Sequence, residues 1–338
     1  MIHYLKTSIQ NLFICWQKIN TFAKINRGPS ADDNFHWNNY FQSQFTGEKT
    51  KSCKNCKVPT GKSQYYLEEC KFYDIKGSAI NFTDTSNTLF LHNLCTFSKC
   101  KSQGSSCILC TGSDNSIVQR RFCCTKCYSK SQGVFSHTKA GNDRSNFIIE
   151  SSLFDIRENE GSSICYASNG NILVSSTNFS SCKADNSPVG SYRSAKNKTF
   201  NYSTVANNFA TNNPLITMYN FALIDSCNII NNTVNGTTGG VILHFKDSLT
   251  IKNCCFISNT APSSVYLIKT DKNNQLTIDN CYIDESITKI FSSYVETKNP
   301  RELFSNNLSH FSTDIYENIE PEITEPFQYL FGKYRCRH

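Results

Sequence analysis

Charge is scarce in this chain of 338 residues: Asp, Glu, Lys and Arg together make up 18% of it, and apolar residues only 38%. No apolar run approaches the roughly 18 residues that a membrane span requires, so none is expected. Leu12 to Trp16, after Lys6, is too short and too interrupted by Gln10, Asn11 and Gln17 for the core of a signal peptide. Asn, Ser and Thr fill the deficit. They favour turns and side-chain ladders over helix interiors, and few long helices are expected.

The net charge of +7 is uneven, because residues 1–140 carry 18 Lys and Arg against 8 Asp and Glu, whereas the remainder carries 16 against 19. The basic residues are scattered and do not alternate with aromatics in a groove pattern, so no nucleic-acid partner is expected. Eighteen cysteines fit either an oxidising compartment with disulfides or a reducing one with thiols or zinc. Seven Asn-x-Ser/Thr sites do not decide between them, since about that many arise by chance at this composition.

Internal similarity is the strongest signal. Leu249 to Ala261 reads Leu-Thr-Ile-Lys-Asn-Cys-Cys-Phe-Ile-Ser-Asn-Thr-Ala, and 27 residues on Leu276 to Ile283 reads Leu-Thr-Ile-Asp-Asn-Cys-Tyr-Ile. With the Cys as phase marker, the series runs backwards through Cys281, Cys254, Cys227, Ser203, Thr177, Ser152, Cys124, Cys95 and Cys70, at a mean step of about 26. Two positions after the marker the chain is apolar in eight of nine cases, Lys126 being the exception. Three and five positions before it apolar residues alternate, which is a strand signal. The odd offset between the two sets requires a turn before the marker, where Asn253 and Asn280 stand. A third apolar stretch follows a glycine bend, as at Gly77 to Ile80 and Gly133 to Phe135, giving three short strands per repeat.

Such strands bury their inward faces only by stacking coil on coil. The expected fold is therefore an all-β parallel β-helix of about nine coils, about 26 residues each. It is expected over 62–292, after a non-repeat cap over 1–61 in which His3 to Ile25 forms an amphipathic helix. An acidic, proline-containing tail over 293–338 follows, with Phe327 to Phe331 folding back. The stacked markers Cys227, Cys254 and Cys281 are expected to be buried free thiols, because parallel side chains point alike.

The motif Leu-x-Ile-x-Asn-Cys-x-Phe-x-x-Asn-x-Ala over Leu249 to Ala261 resembles the right-handed β-helices of the pectin-lyase-like superfamily. It is similar in particular to Cys- and Asn-rich repeat proteins of protist surfaces and to bacterial polymorphic outer-membrane proteins. The resemblance implies right-handed coiling and a non-catalytic surface or secreted scaffold for adhesion or ligand binding. A carbohydrate or protein ligand would lie along the long face. It also admits a polysaccharide lyase or glycoside hydrolase as the alternative.

Catalysis of that kind needs clustered carboxylates as acid and base, or carboxylates holding Ca²⁺ beside an Arg. Acidic residues are sparse in the repeats; Asp155, Glu158 and Glu160 form the densest group and read as a solvated turn. His92, His137 and His244 are isolated and read as edge residues, so no catalytic residue is assigned. The sharpest chemical pattern is Cys107-x-x-Cys110 with Cys124-x-x-Cys127, four thiols at a spacing that suits a tetrahedral Zn²⁺. A further alternative is therefore an intracellular zinc or thiol-rich protein, although Cys124 also falls on the marker of the repeat. Cys53-x-x-Cys56, among Lys51, Lys54 and Lys57, reads as a local disulfide or surface thiols.

Overall fold

The computed structural model describes residues 33–310, except 42, 44, 56–62, 84–85, 103–106, 130–132, 158–162, 213, 237–239, 272 and 285–289. The chain forms two units, Met1–Phe45 and Thr46–His338. In the first, helix Asp33–Phe41 places Trp37 against Phe41 and Phe45, with ring centroids 4.3 and 4.6 Å away. The expected helix His3 to Ile25 and the fold-back of Phe327 to Phe331 lie outside the described residues.

The second unit is a parallel β-solenoid. Sheet I has eleven strands, from Glu48–Lys51 to Tyr294–Lys298; sheets II and III have nine each, from Lys71–Tyr73 to Tyr282–Ile283 and from Ile80–Phe82 to Ile290–Phe291. One strand of each sheet belongs to each coil, and the chain makes about eight turns of roughly 26 residues. Sheet I runs one strand beyond 62–292 at each end. No helix of the described residues is long and apolar enough to cross a membrane.

Strand pairing fixes which side chains share a column. Between sheets I and II the column is Cys70, Cys95, Phe122, Ser151, Thr177, Ser203, Cys227, Cys254 and Cys281, each one residue before paired strand starts. Two expected markers are therefore corrected: Phe122 stands in place of Cys124, and Ser151 in place of Ser152. Cys124 belongs to the next inward column, with Phe72, Phe97, Leu153, Phe179, Val205, Ile229, Phe256 and Ile283. The slip explains the apparent exceptions. Arg121 and Lys126 occupy corner positions, partly and fully exposed, instead of the core.

The corners also explain the marker chemistry. A backbone N–H at a bend has no ladder partner and must find another acceptor. The side chain one coil above supplies it: Phe122 N donates to Ser151 Oγ, Thr177 N to Ser203 Oγ, Cys227 N to Cys254 Sγ, and Cys254 N to Cys281 Sγ, at 3.1 to 3.4 Å. At the corner after sheet II, Asn takes over this role. Cys182 N donates to Asn208 Oδ1, Asn208 N to Asn232 Oδ1, and Asn232 N to Asn259 Oδ1. Each bend is made by one residue in the left-handed region, as at Leu94, Arg121, Asn253 and Asn280 before the first corner, and Lys99, Lys126, Asn207 and Asn231 before the second.

The core is a single apolar column stack with a few polar intrusions. His92 and Gln119 face inward one above the other and are fully buried, as are Asn146 and Lys198 nearly so. His92 is thus a core residue and not an edge residue, and burial drives its pKa down to about 3. His244 is also buried, with Nε2 2.6 Å from the Asn220 carbonyl. Lys198 donates to the Ala195 carbonyl at 2.9 Å, and burial lowers its pKa to about 8.

Candidate functional site

A strand of sheet III presents alternate residues outward. Pairing aligns His137, Tyr166, Ser191, Thr217, Leu243 and Lys269 in one outward column, and Lys139, Ser168 and Arg193 in the next. Strands Cys165–Ser168, Gly190–Arg193 and Ile216–Tyr219 thereby bring Tyr166, Arg193 and Tyr219 from three successive coils to one surface. Gly190 has a steric reason: a Cβ there would meet the Tyr192 hydroxyl at 2.4 Å, because that ring folds beneath the strand.

These residues line a half-open cleft of about 280 Å³ with Ser163, Asn186, Ser187, Ser191, Pro214, Thr217 and Leu243. The Arg193 guanidinium lies 5.6 Å from the Tyr166 ring and 5.1 Å from the Tyr219 ring, a cation between two aromatic faces. Its Nε donates to Ser191 Oγ at 3.1 Å, which fixes the plane of the fork. Ser187 Oγ and Thr217 Oγ1 share a hydrogen bond of 2.8 Å, and Ser163 Oγ is buried without a partner. His137 packs edge-on to Tyr166 at 4.7 Å, and burial lowers its pKa, so it is neutral at pH 7. Among the described residues no carboxylate lines the cleft and Arg193 makes no ion pair. The arrangement offers one positive charge, several hydroxyls and two aromatic surfaces, and no acid–base pair.

The sequence motifs did not reveal these three residues. Their signal is the alternation within the third strand of each coil, and that strand's register follows from stacking and not from the marker.

Of the four thiols expected to meet, Cys107 and Cys127 do so, joined by Cys100; the three sulfurs lie within 4.8 Å of one another and all are buried. Cys124 stands on the neighbouring inward column, near enough to Cys127 to bear on its ionisation. Against burial, which raises it, hydrogen bonds from Cys100, Cys107 and Cys124 hold the Cys127 thiol well below its usual range. Cys110 faces inward on the adjoining column, where burial pushes its pKa up and no other thiol contacts it. Among the described residues this trio is the one group of three or more His, Cys, Asp or Glu side chains near enough to share an ion.

The marker thiols Cys70, Cys95, Cys227, Cys254 and Cys281 are buried and free, whereas Cys53 and Cys123 are disulfide-bonded. Asp155 pairs with Arg157 at 2.8 Å, and Glu158 and Glu160 lie outside the described residues. Comparison with protein-family models, with curated proteins and with solved structures finds no match to this chain.

Proposed function

We propose that the chain is a non-catalytic β-helical scaffold that binds an acidic saccharide on the outer face of sheet III. The observation that carries this reading is Arg193 held between Tyr166 and Tyr219 in a hydroxyl-lined cleft. A guanidinium fork pairs with a carboxylate or sulfate bidentately. Ser, Thr and Asn side chains suit sugar hydroxyls, and the tyrosine rings offer flat surfaces to the apolar face of a pyranose. The positive charge of Arg193 favours an acidic chain over a neutral one.

Glycoside hydrolysis uses two carboxyl groups across the scissile bond, whereas the described lining of the cleft supplies one guanidinium, hydroxyls and aromatic rings, groups suited to binding. The resemblance to surface β-helix proteins of the pectin-lyase-like kind supports a cell-surface or secreted location, in which a long sheet face displays repeated polar side chains.

The test is calorimetric titration of the purified full chain with uronate and sulfated oligosaccharides, and with neutral ones of equal length. Binding of the acidic ligands alone is expected, weakened at least tenfold by Arg193→Ala and several-fold by Tyr219→Ala, with no shortening of the ligand on prolonged incubation. Binding that is indifferent to ligand charge or to Arg193→Ala would overturn the reading, as would cleavage.

A further inference from the structure

Four cysteines gather where the first coils of the solenoid depart from their own repeat. Cys100 and Cys127 stack in adjacent coils at the corner after sheet II, since Lys101 pairs with Tyr128 one residue on. Cys107 comes from the start of sheet III, and Cys124 from sheet II. A corner cysteine alone has an ordinary structural explanation, because most corner positions take small polar side chains, Ile75, Phe122 and Ile156 apart. Cys107 and Cys124 do not. The column of Cys107 begins with Ala79 and continues as Phe135, Ile164, Val189, Leu215, Val241 and Leu267, and that of Cys124 consists of Phe, Leu, Val and Ile in every other coil. Two positions that hold large apolar groups in all later coils here hold thiols aimed at a third and a fourth. Local violation of a rule that the rest of the molecule obeys marks a site.

We infer that Cys100, Cys107 and Cys127, with Cys124 as the fourth ligand, form a buried site for one thiophilic d¹⁰ metal ion, Zn²⁺ in the first instance.

Zinc–thiolate bonds of about 2.3 Å put tetrahedral ligand sulfurs about 3.8 Å apart. The separations among Cys100, Cys107 and Cys127, all within 4.8 Å, close to that by small side-chain rotations, and Cys124 reaches the fourth position from the neighbouring inward column. The corner register places the backbone of Ile75 one coil from Cys100 and that of Cys100 one coil from Cys127, as at the corners where a bend N–H donates to the side chain of the next coil. Such N–H donors stabilise thiolates. Binding replaces thiol protons with one ion, so affinity rises with pH as protons are released to solvent. The ligand set differs from the one that spacing alone suggests: Cys100 replaces Cys110, because the register of the coils, and not the Cys-x-x-Cys spacing, decides which sulfurs meet.

The experiment uses the full chain, purified reduced and metal-free, and titrated with Co²⁺ and then Zn²⁺. One equivalent of Co²⁺ is expected to give sulfur-to-cobalt charge-transfer absorption and the intense d–d bands of a tetrahedral thiolate site. One equivalent of Zn²⁺ should displace it. Cys100→Ser, Cys107→Ser and Cys127→Ser should each lose at least 90% of the charge-transfer signal, whereas Cys110→Ser and Cys281→Ser should keep it. Should the serine variants fail to fold by circular dichroism, the ¹¹³Cd chemical shift of the wild-type chain counts its sulfur ligands without them. Absence of a thiolate band in the folded wild type overturns the inference. So does retention of the band in folded Cys100→Ser, a cadmium shift typical of oxygen ligands, or a disulfide among these four residues in the reduced preparation.

Discussion

The corner after sheet II is built twice, from different chemistry. In the first coils its inward column holds Cys100 and Cys127, and in the later ones Asn208, Asn232 and Asn259. The backbone problem is the same in both, a bend N–H without a ladder partner. Asparagine solves it completely. Asn232 accepts from the N–H and Nδ2 of Asn208 at 3.0 Å, and donates from its own Nδ2 to the Val205 carbonyl and Asn259 Oδ1 at 2.9 Å. The thiols make only weak contacts. The Cys127 S–H donates to the Thr125 carbonyl at 3.6 Å, and the Cys100 S–H to the carbonyls of Ser98 and Phe72 at the same distance. The amide ladder is closed to any outside partner, whereas the thiol corner retains unused ligand capacity.

The cores beside the two corners differ in the same sense. Around the thiols Phe72, Phe97, Phe122 and Phe135 stack, with centroids 5.0 Å apart for Phe72 and Phe97 and 4.9 Å for Phe122 and Phe135. Around the amides aliphatic residues predominate, as in Ile224, Ile251 and Ile278, with Phe200 and Phe256 among them. Regular aliphatic columns tolerate a fixed amide ladder at their edge. An aromatic core with small thiols in its gaps is less regular in sequence and more open to a specific ion.

The largest expected effect tests whether the amide ladder holds its end of the solenoid. Asn232→Ala removes the acceptor of the Asn208 N–H and the donor to the Val205 carbonyl in a dry interior, while Asn208 Nδ2 keeps the Phe179 carbonyl and Asn259 Oδ1 keeps the backbone N–H of residue 232. Unpaired buried groups cost about 1–3 kcal/mol each, so a loss of about 3 kcal/mol is expected. Cys127→Ala in the metal-free reduced chain removes one sulfur and weak contacts, for about 1.5 kcal/mol. Urea unfolding followed by circular dichroism compares them. Equal losses would break the contrast between the two corners.

A middle-sized effect separates the two ends by pH. His92 is fully buried in the aromatic end, with its pKa pushed down to about 3 by burial. The unfolded chain binds a proton near pH 6.5 and the folded chain does not. Stability from this group is therefore complete above pH 6.5 and falls as pH drops from 6.5 towards 3, by about 2 kcal/mol at pH 5. His137, His244 and His310 are shifted in the same direction by burial and add to the slope. His92→Leu should flatten the pH 7 to pH 5 difference by about half or more. An unchanged slope would place His92 in contact with water.

How much of this was legible beforehand follows the same division. From Cys227 to Cys281 the repeat Leu-x-Ile-x-Asn-Cys is nearly literal, and the markers, strands and turns read from it coincide with the observed register. In the third and fourth coils the phase was misplaced by two residues and then by one, because Cys123, Cys124 and Cys127 crowd a stretch in which the true marker is Phe122. A small-residue rule finds the nearest cysteine; it has no way to see that an aromatic core admits a phenylalanine at the corner. The same limit hid Cys100 from the thiol group and Arg193 from the cleft. Both depend on which residues lie one coil apart, and loops of unequal length carry that offset.

The smallest effect has the opposite sign and sharpens the comparison residue by residue. Every bend places one residue at positive φ, where a Cβ crowds the following carbonyl. Asn tolerates that conformation better than long side chains do, since its short amide bonds locally. The later bends have Asn207, Asn231, Asn253 and Asn280 there, at φ of 52° to 58°, while the early ones have Leu94, Lys99, Arg121 and Lys126, at 44° to 57°. Lys126 is exposed, so replacing it disturbs no core packing. Lys126→Asn is therefore expected to stabilise the chain by about 0.5–1 kcal/mol, through relief of backbone strain alone. The reciprocal Asn231→Lys should cost somewhat more, because Asn231 Nδ2 also bonds to Asn207 Oδ1 at 2.6 Å. Unfolding midpoints that move in opposite directions for the pair would show that the early coils carry unrelieved strain at bends the later coils have optimised. A neutral Lys126→Asn would mean that its bend is relaxed by contacts other than its own side chain.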